Sequence, residues 1–171
     1  KAWYVKKHMT LGEYMKREFP STPEEAFESA NEGFYFAKQI SVARQEHRIC
    51  HLPADENAKT YSAWDIGIGD LCAIWVFQII GKEVHCIDYY ENSGEGISHY
   101  IKILRERPYV YEAHHMPHDI EVRELSTGVP RRDSFQKLGL RPIRVAPKLP
   151  VEEGVEAVRK VLPMCYFDRS K

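Results

Sequence analysis

Cysteine is scarce in this chain and poorly spaced for joint work: Cys50, Cys72, Cys86 and Cys165 are scattered through 171 residues with no CxxC pair. That spacing excludes the signature of a structural zinc site and argues for reduced thiols packed as small hydrophobes. No run approaches the roughly 18 to 20 apolar residues of a membrane helix, and no basic, apolar and small-residue signal segment opens the sequence. An intracellular protein without membrane contact is therefore expected. Charge of one sign is not in excess either. Lys and Arg number 24 against 25 Asp and Glu, a formal net charge of −1, which excludes a chain whose whole surface is an electrostatic footprint for nucleic acid. Any such contact is local. Also missing is GxxxxGK[ST]: Gly81-Lys82 lacks the preceding glycine and the following hydroxyl, so no ATP site of that type is expected.

What is present suits a folded domain, with 43% apolar residues and no internal repeat. The ends, Lys1-Ala2-Trp3 without an initiator Met and Arg169-Ser170-Lys171, lead us to expect a fragment of a longer chain. Residues 1–50 read as helical and charged. Leu11 to Glu18 is one candidate helix, and Thr22-Pro23-Glu24-Glu25 opens a second, with Thr22 as N-cap, Pro23 at the first helical position and Glu25 at capping-box spacing. A third candidate is Phe36 to His47, followed by the polar segment Pro53 to Lys59. We expect a helical connector over residues 1–58 and a compact domain over 59–171.

Within that domain the pattern predicts strands at about 60–66, 71–80 and 83–90, with Gly81-Lys82 joining the last two as antiparallel neighbours. Ile97, Ile101 and Leu104 recur at helical spacing over about 96–106. A strand at 109–115, a short helix from Ser134 to Leu138 stopped by Gly139, a strand from Arg141 to Val145 and an amphipathic helix carrying Val155, Val158 and Val161 complete the order. Three antiparallel strands, then alternating helices and strands, predict an α/β RNase H-like fold: a mixed central sheet flanked by helices, with a helical N-terminal extension.

In that fold an acid at the end of the first strand and one after the fourth lie on neighbouring strands. Asp65 and Asp119 occupy those positions. Carboxylates from separate elements suit a pair of hard divalent ions that prefer oxygen ligands, so Mg2+ or Mn2+ and phosphodiester hydrolysis are the leading expectation, with Asp88 and Glu91 in support at the end of the third strand. His114, His115 and His118 crowd the fourth, but strand alternation points His114 and His115 to opposite faces. Arg123, Arg131 and Arg132 on the long loop, with His118, are candidates to grip DNA phosphates. The aromatic residues Trp3, Tyr4, Phe34, Tyr35 and Phe36 are expected to pack between helices.

These residues carry a family resemblance. Glu18-Phe19-Pro20-Ser21-Thr22-Pro23-Glu24-Glu25-Ala26-Phe27, Trp64-Asp65-Ile66-Gly67, Ile87-Asp88-Tyr89-Tyr90-Glu91-Asn92-Ser93-Gly94, His99-Tyr100-Ile101, Pro117-His118-Asp119-Ile120, Thr127-Gly128 and Tyr166-Phe167-Asp168 occur in this order. Together the chain resembles the C-terminal nuclease domain of the terminase large subunit of tailed bacteriophages and prophages. The resemblance implies an endonuclease that cuts concatemeric double-stranded DNA in the bacterial host cytoplasm. It would be attached to an N-terminal ATPase domain and act with portal and small terminase subunits. It matches the first metal-binding Asp to Asp65 and the second acid to Asp119. The family's third acid has no match before Lys171. That leaves a catalytically incomplete module docking the motor to portal or capsid as the alternative. A second alternative is an actin-like nucleotide-binding fold, suggested by Asp65-Ile66-Gly67.

Overall fold

The computed structural model describes residues 35–67, 71–123 and 128–171. The first two candidate helices, Trp3, Tyr4, Phe34 and Thr127 lie outside these residues. The order is helix α1 (Ala37–Gln45), strands β1 (Ile49–Cys50), β2 (Thr60–Asp65), β3 (Cys72–Ile80) and β4 (Glu83–Asn92), and helix α2 (Ile97–Arg105). There follow β5 (Tyr111–Met116), a 3-10 turn (His118–Glu121), α3 (Arg131–Lys137), β6 (Ile143–Val145), α4 (Val151–Val161), a second 3-10 turn (Leu162–Met164) and β7 (Cys165–Asp168).

The strands make one seven-stranded sheet in the order β1-β7-β4-β3-β2-β5-β6. β2, β3 and β4 are antiparallel neighbours. β5 runs parallel to β2, β6 to β5, and β7 to both β4 and β1. This is the mixed RNase H-like sheet that the order of apolar runs predicts. Gly81 supports the β3–β4 turn with φ +62°, a left-handed conformation that costs glycine little.

Side-chain alternation divides the sheet into two faces. Thr60, Ser62 and Trp64 of β2 are buried, whereas Tyr61, Ala63 and Asp65 face the other way. Trp64, Ile74, Val76 and Ile87 form the core with Tyr100, Ile101 and Leu104, the apolar stripe of α2. Phe135 of α3 closes one end, meeting Trp64 edge-on with ring centroids 5.5 Å apart. Burial of each such large side chain stabilises the fold by roughly 1.5–3 kcal/mol. Gly139, at φ +87°, ends α3 where a Cβ would come within 2.6 Å of an Arg105 guanidinium nitrogen.

Several boundaries differ from the sequence reading. β1 lies inside the expected connector yet forms a sheet edge, pairing Ile49 with Phe167 and Cys50 with Asp168. The sequence pattern predicts no strand at β7. Both strands are too short to show a period and exist through their parallel pairing. β6 begins at Ile143 rather than Arg141, just past Pro142, which has no N–H to donate to a ladder. β4 extends to Asn92, which places Glu91 inside the strand.

Candidate metal centre

β2, β4 and β5 all end at the same edge of the sheet, because β3 reverses the chain between β2 and β4, and β5 runs alongside β2. The strand order also changes direction here: β3 and β4 lie on one side of β2, β5 and β6 on the other. In open α/β sheets the crevice beyond the carboxyl ends at such a reversal is where ligands bind.

Asp65 is the last residue of β2 and is exposed. Among the described residues it makes no hydrogen bond or ion pair. Its register partner on β3 is Ala73, which in turn pairs with Glu91 on β4. The three side chains therefore share one face, with Asp65 and Glu91 two strand spacings apart, about 10 Å between backbones. The methyl group of Ala73 leaves the space between them open. In the next row back, Ala63, Trp75 and Tyr89 are in register on the same face. The Tyr89 hydroxyl donates to Glu91 Oε2 at 2.5 Å. Burial, followed by the hydrogen bond and charge of Glu91 and the charge of Asp65, pushes the Tyr89 hydroxyl up to about 12. Cys72 is pushed up to about 11, first by burial and then by Asp65.

Asp119 sits in the 3-10 turn directly after β5. The next residue, Ile120, is fully buried, so the turn is pinned to the core. Asp119 Oδ1 is buried with no hydrogen-bond partner among the described residues. A carboxylate oxygen taken from water without a compensating contact is costly, and this oxygen lies one residue beyond His118 at the sheet edge where Asp65 ends β2.

Asp88 does not join them. It pairs with Val76, in the buried row, and is itself only 2% exposed on the α2 side. There its carboxylate meets Arg107 Nε at 3.1 Å and Lys171 Nζ at 3.2 Å and accepts the Tyr89 backbone N–H at 2.8 Å. Those contacts satisfy a buried charge on the face away from Asp65 and Glu91.

The histidines separate as alternation requires. His114 is buried, its Nδ1 2.7 Å from Ser62 Oγ, and the indole N–H of Trp64 donates to the same hydroxyl at 2.8 Å. Ser62 Oγ thus joins the indole N–H and the imidazole Nδ1 in one buried hydrogen-bonded chain. Burial, with a smaller contribution from His115, pushes His114 down to about 4. His115 lies on the Asp65 face between Tyr61 and Phe77, and burial and Arg144 lower its pKa. His118 is exposed beside Asp119. Arg123 is exposed and bridges to Pro130. Arg132 pairs with Glu121 at 2.8 Å, and the Arg131 N–H donates to Val122 O at 3.2 Å. All three arginines belong to the segment that leaves Asp119. Tyr35 and Phe36 touch each other at 6.2 Å.

Among the described residues no group of three or more His, Cys, Asp or Glu side chains is placed to hold a metal ion. The donors that are present nevertheless fit hard cations. Asp65 offers an exposed carboxylate and Asp119 a buried oxygen without a hydrogen-bond partner among the described residues, both oxygen ligands, and ions such as Mg2+ keep several waters and need few protein ligands.

No protein-family model and no curated protein matches the sequence. Among solved structures, the P22 large terminase nuclease domain aligns with a TM-score of 0.55 at 14% identity, over 73% of this chain and 70% of that one. The large terminase of a thermophilic bacteriophage aligns with a TM-score of 0.53 at 11% identity, covering 72% of this chain. That match spans only 32% of the length of the thermophilic phage protein. With its mixed sheet and crossover helices, this chain has the fold of a large-terminase nuclease domain.

Proposed function

We propose that this chain is the metal-dependent DNA endonuclease domain of a viral genome-packaging terminase large subunit, cutting concatemeric double-stranded DNA by a two-metal hydrolytic mechanism. The observation that carries the reading is the buried Asp119 oxygen, without a hydrogen-bond partner among the described residues, at the sheet edge where Asp65 ends the neighbouring strand. Asp65 and Asp119 hold the ions, Mg2+ or Mn2+, and Glu91 supports them from the same face as Asp65. Two ions held there would supply a water-derived nucleophile at neutral pH and would neutralise charge building on the scissile phosphate.

The chain's own groups position the substrate. Arg123, Arg131, Arg132 and His118 lie on the segment around Asp119 and grip flanking phosphates, which fixes register without reading sequence. Asp88 is left out of the centre because its contacts are on the other face. Residues 1–58 connect to an ATPase domain, and the portal, the small terminase subunit and the host cytoplasm are the setting. The lack of a third converging carboxylate among the described residues favours a second reading, a catalytically incomplete module that docks the motor to portal or capsid.

Plasmid nicking separates the two. We expect the chain to nick supercoiled DNA with Mn2+ and Asp65→Ala to lose at least about 100-fold, since a metal contributes several kcal/mol and each 1.4 kcal/mol is tenfold in rate. Nicking that survives Asp65→Ala contradicts the assignment. Metal binding without nicking favours the docking module.

A further inference from the structure

We propose that Tyr89 is a positioning residue for this centre, its hydroxyl holding the Glu91 carboxylate on the face it shares with Asp65. The inference rests on the proposed reading in which Asp65 and Asp119 hold the ions and Glu91 supports them. Its basis is a chain of contacts along that face. The Tyr89 hydroxyl donates to Glu91 Oε2 at 2.5 Å. The Tyr89 ring packs on Trp75 with centroids 4.5 Å apart, and Trp75 meets Phe167 of β7 edge-on at 6.0 Å. Opposite them in the same row stands Ala63, whose small side chain leaves the rings room.

Glutamate has three rotatable side-chain bonds, and Glu91 stands at the exposed end of a strand. Left alone it would sample several rotamers, and binding an ion would then cost the entropy of choosing one. A hydroxyl fixed by a packed ring removes part of that cost in advance. Hydrogen bonds of this kind to ligating carboxylates typically change metal affinity by 10- to 100-fold when lost. The Tyr89 hydroxyl is engaged by Glu91, so on this reading Tyr89 acts through that carboxylate.

A double-mutant cycle read by Mn2+ titration calorimetry tests this. Tyr89→Phe keeps the ring and its packing, and is expected to weaken Mn2+ binding about tenfold with the melting temperature of the metal-free protein unchanged. Glu91→Gln is expected to weaken it similarly, and Tyr89→Phe added to Glu91→Gln should have no further effect, because the two act as one unit. An unchanged or higher affinity in Tyr89→Phe overturns the inference, as does an equal loss in both backgrounds. Mn2+ binding that requires Asp65 but ignores Tyr89 leaves the metal centre standing and removes only this inference. If no Mn2+ binding is lost in Asp65→Ala, the centre itself falls and the inference with it.

Discussion

Asp65 and Glu91 are both register partners of Ala73, so the two carboxylates stand on one face of the sheet with a single methyl group between them. A ligand that binds the folded state alone stabilises it by mass action, about 2.7 kcal/mol at a hundredfold excess over Kd. For a domain of this size each kcal/mol raises the melting temperature by about 2–4 °C. Calorimetric scans should therefore show Mn2+ raising the melting temperature by roughly 5–10 °C, and Asp65→Asn should abolish most of that rise. An undiminished rise in Asp65→Asn would show that the ion binds elsewhere.

Asp88 gives the opposite pattern. Its carboxylate is buried against Arg107 and Lys171, both of which are about one-third exposed. Breaking a fully buried pair costs about 3–5 kcal/mol, and partly exposed cations recover hydration. Asp88→Asn is thus expected to lower unfolding free energy by roughly 1–3 kcal/mol in urea titrations while leaving Mn2+ affinity intact. Lost affinity at unchanged stability would place Asp88 in the centre after all.

Burial of His114 makes stability depend on pH. Burial pushes His114 in the folded protein down to about 4 from an ordinary 6.5, so as pH falls the unfolded chain takes up this proton first. The stabilisation is complete above 6.5 and is lost progressively as pH falls from 6.5 to 4. The size is on the order of 3 kcal/mol. His114→Gln cannot titrate, and its unfolding free energy should fall less between neutral pH and about pH 4.5 than that of the wild type. Identical pH dependence in the two proteins would contradict the assignment.

The long strands and α2 were legible because their apolar residues recur with clear periods, and β2 beside β5 followed from their order. β1 and β7 were not, since two to four residues carry no period and depend on partners distant in sequence. Asp88 was grouped with Glu91 although an odd spacing of three residues already places them on opposite faces of a strand. The register slip between Val76 and Phe77 then fixes Asp88 opposite Val76 in the buried row. Asp119 was legible as a position but not as a buried oxygen, because that depends on Ile120 anchoring its turn. The brace of Tyr89 depends on a side-chain conformation that alternation alone does not specify.

Anomalous scattering from Mn2+-soaked crystals tests the central claim most directly. Manganese is expected within about 2.2 Å of carboxylate oxygens of both Asp65 and Asp119, with no ion at Asp88. Manganese absent from that sheet edge, or bound with Asp65 and Asp119 turned away from it, would contradict the account.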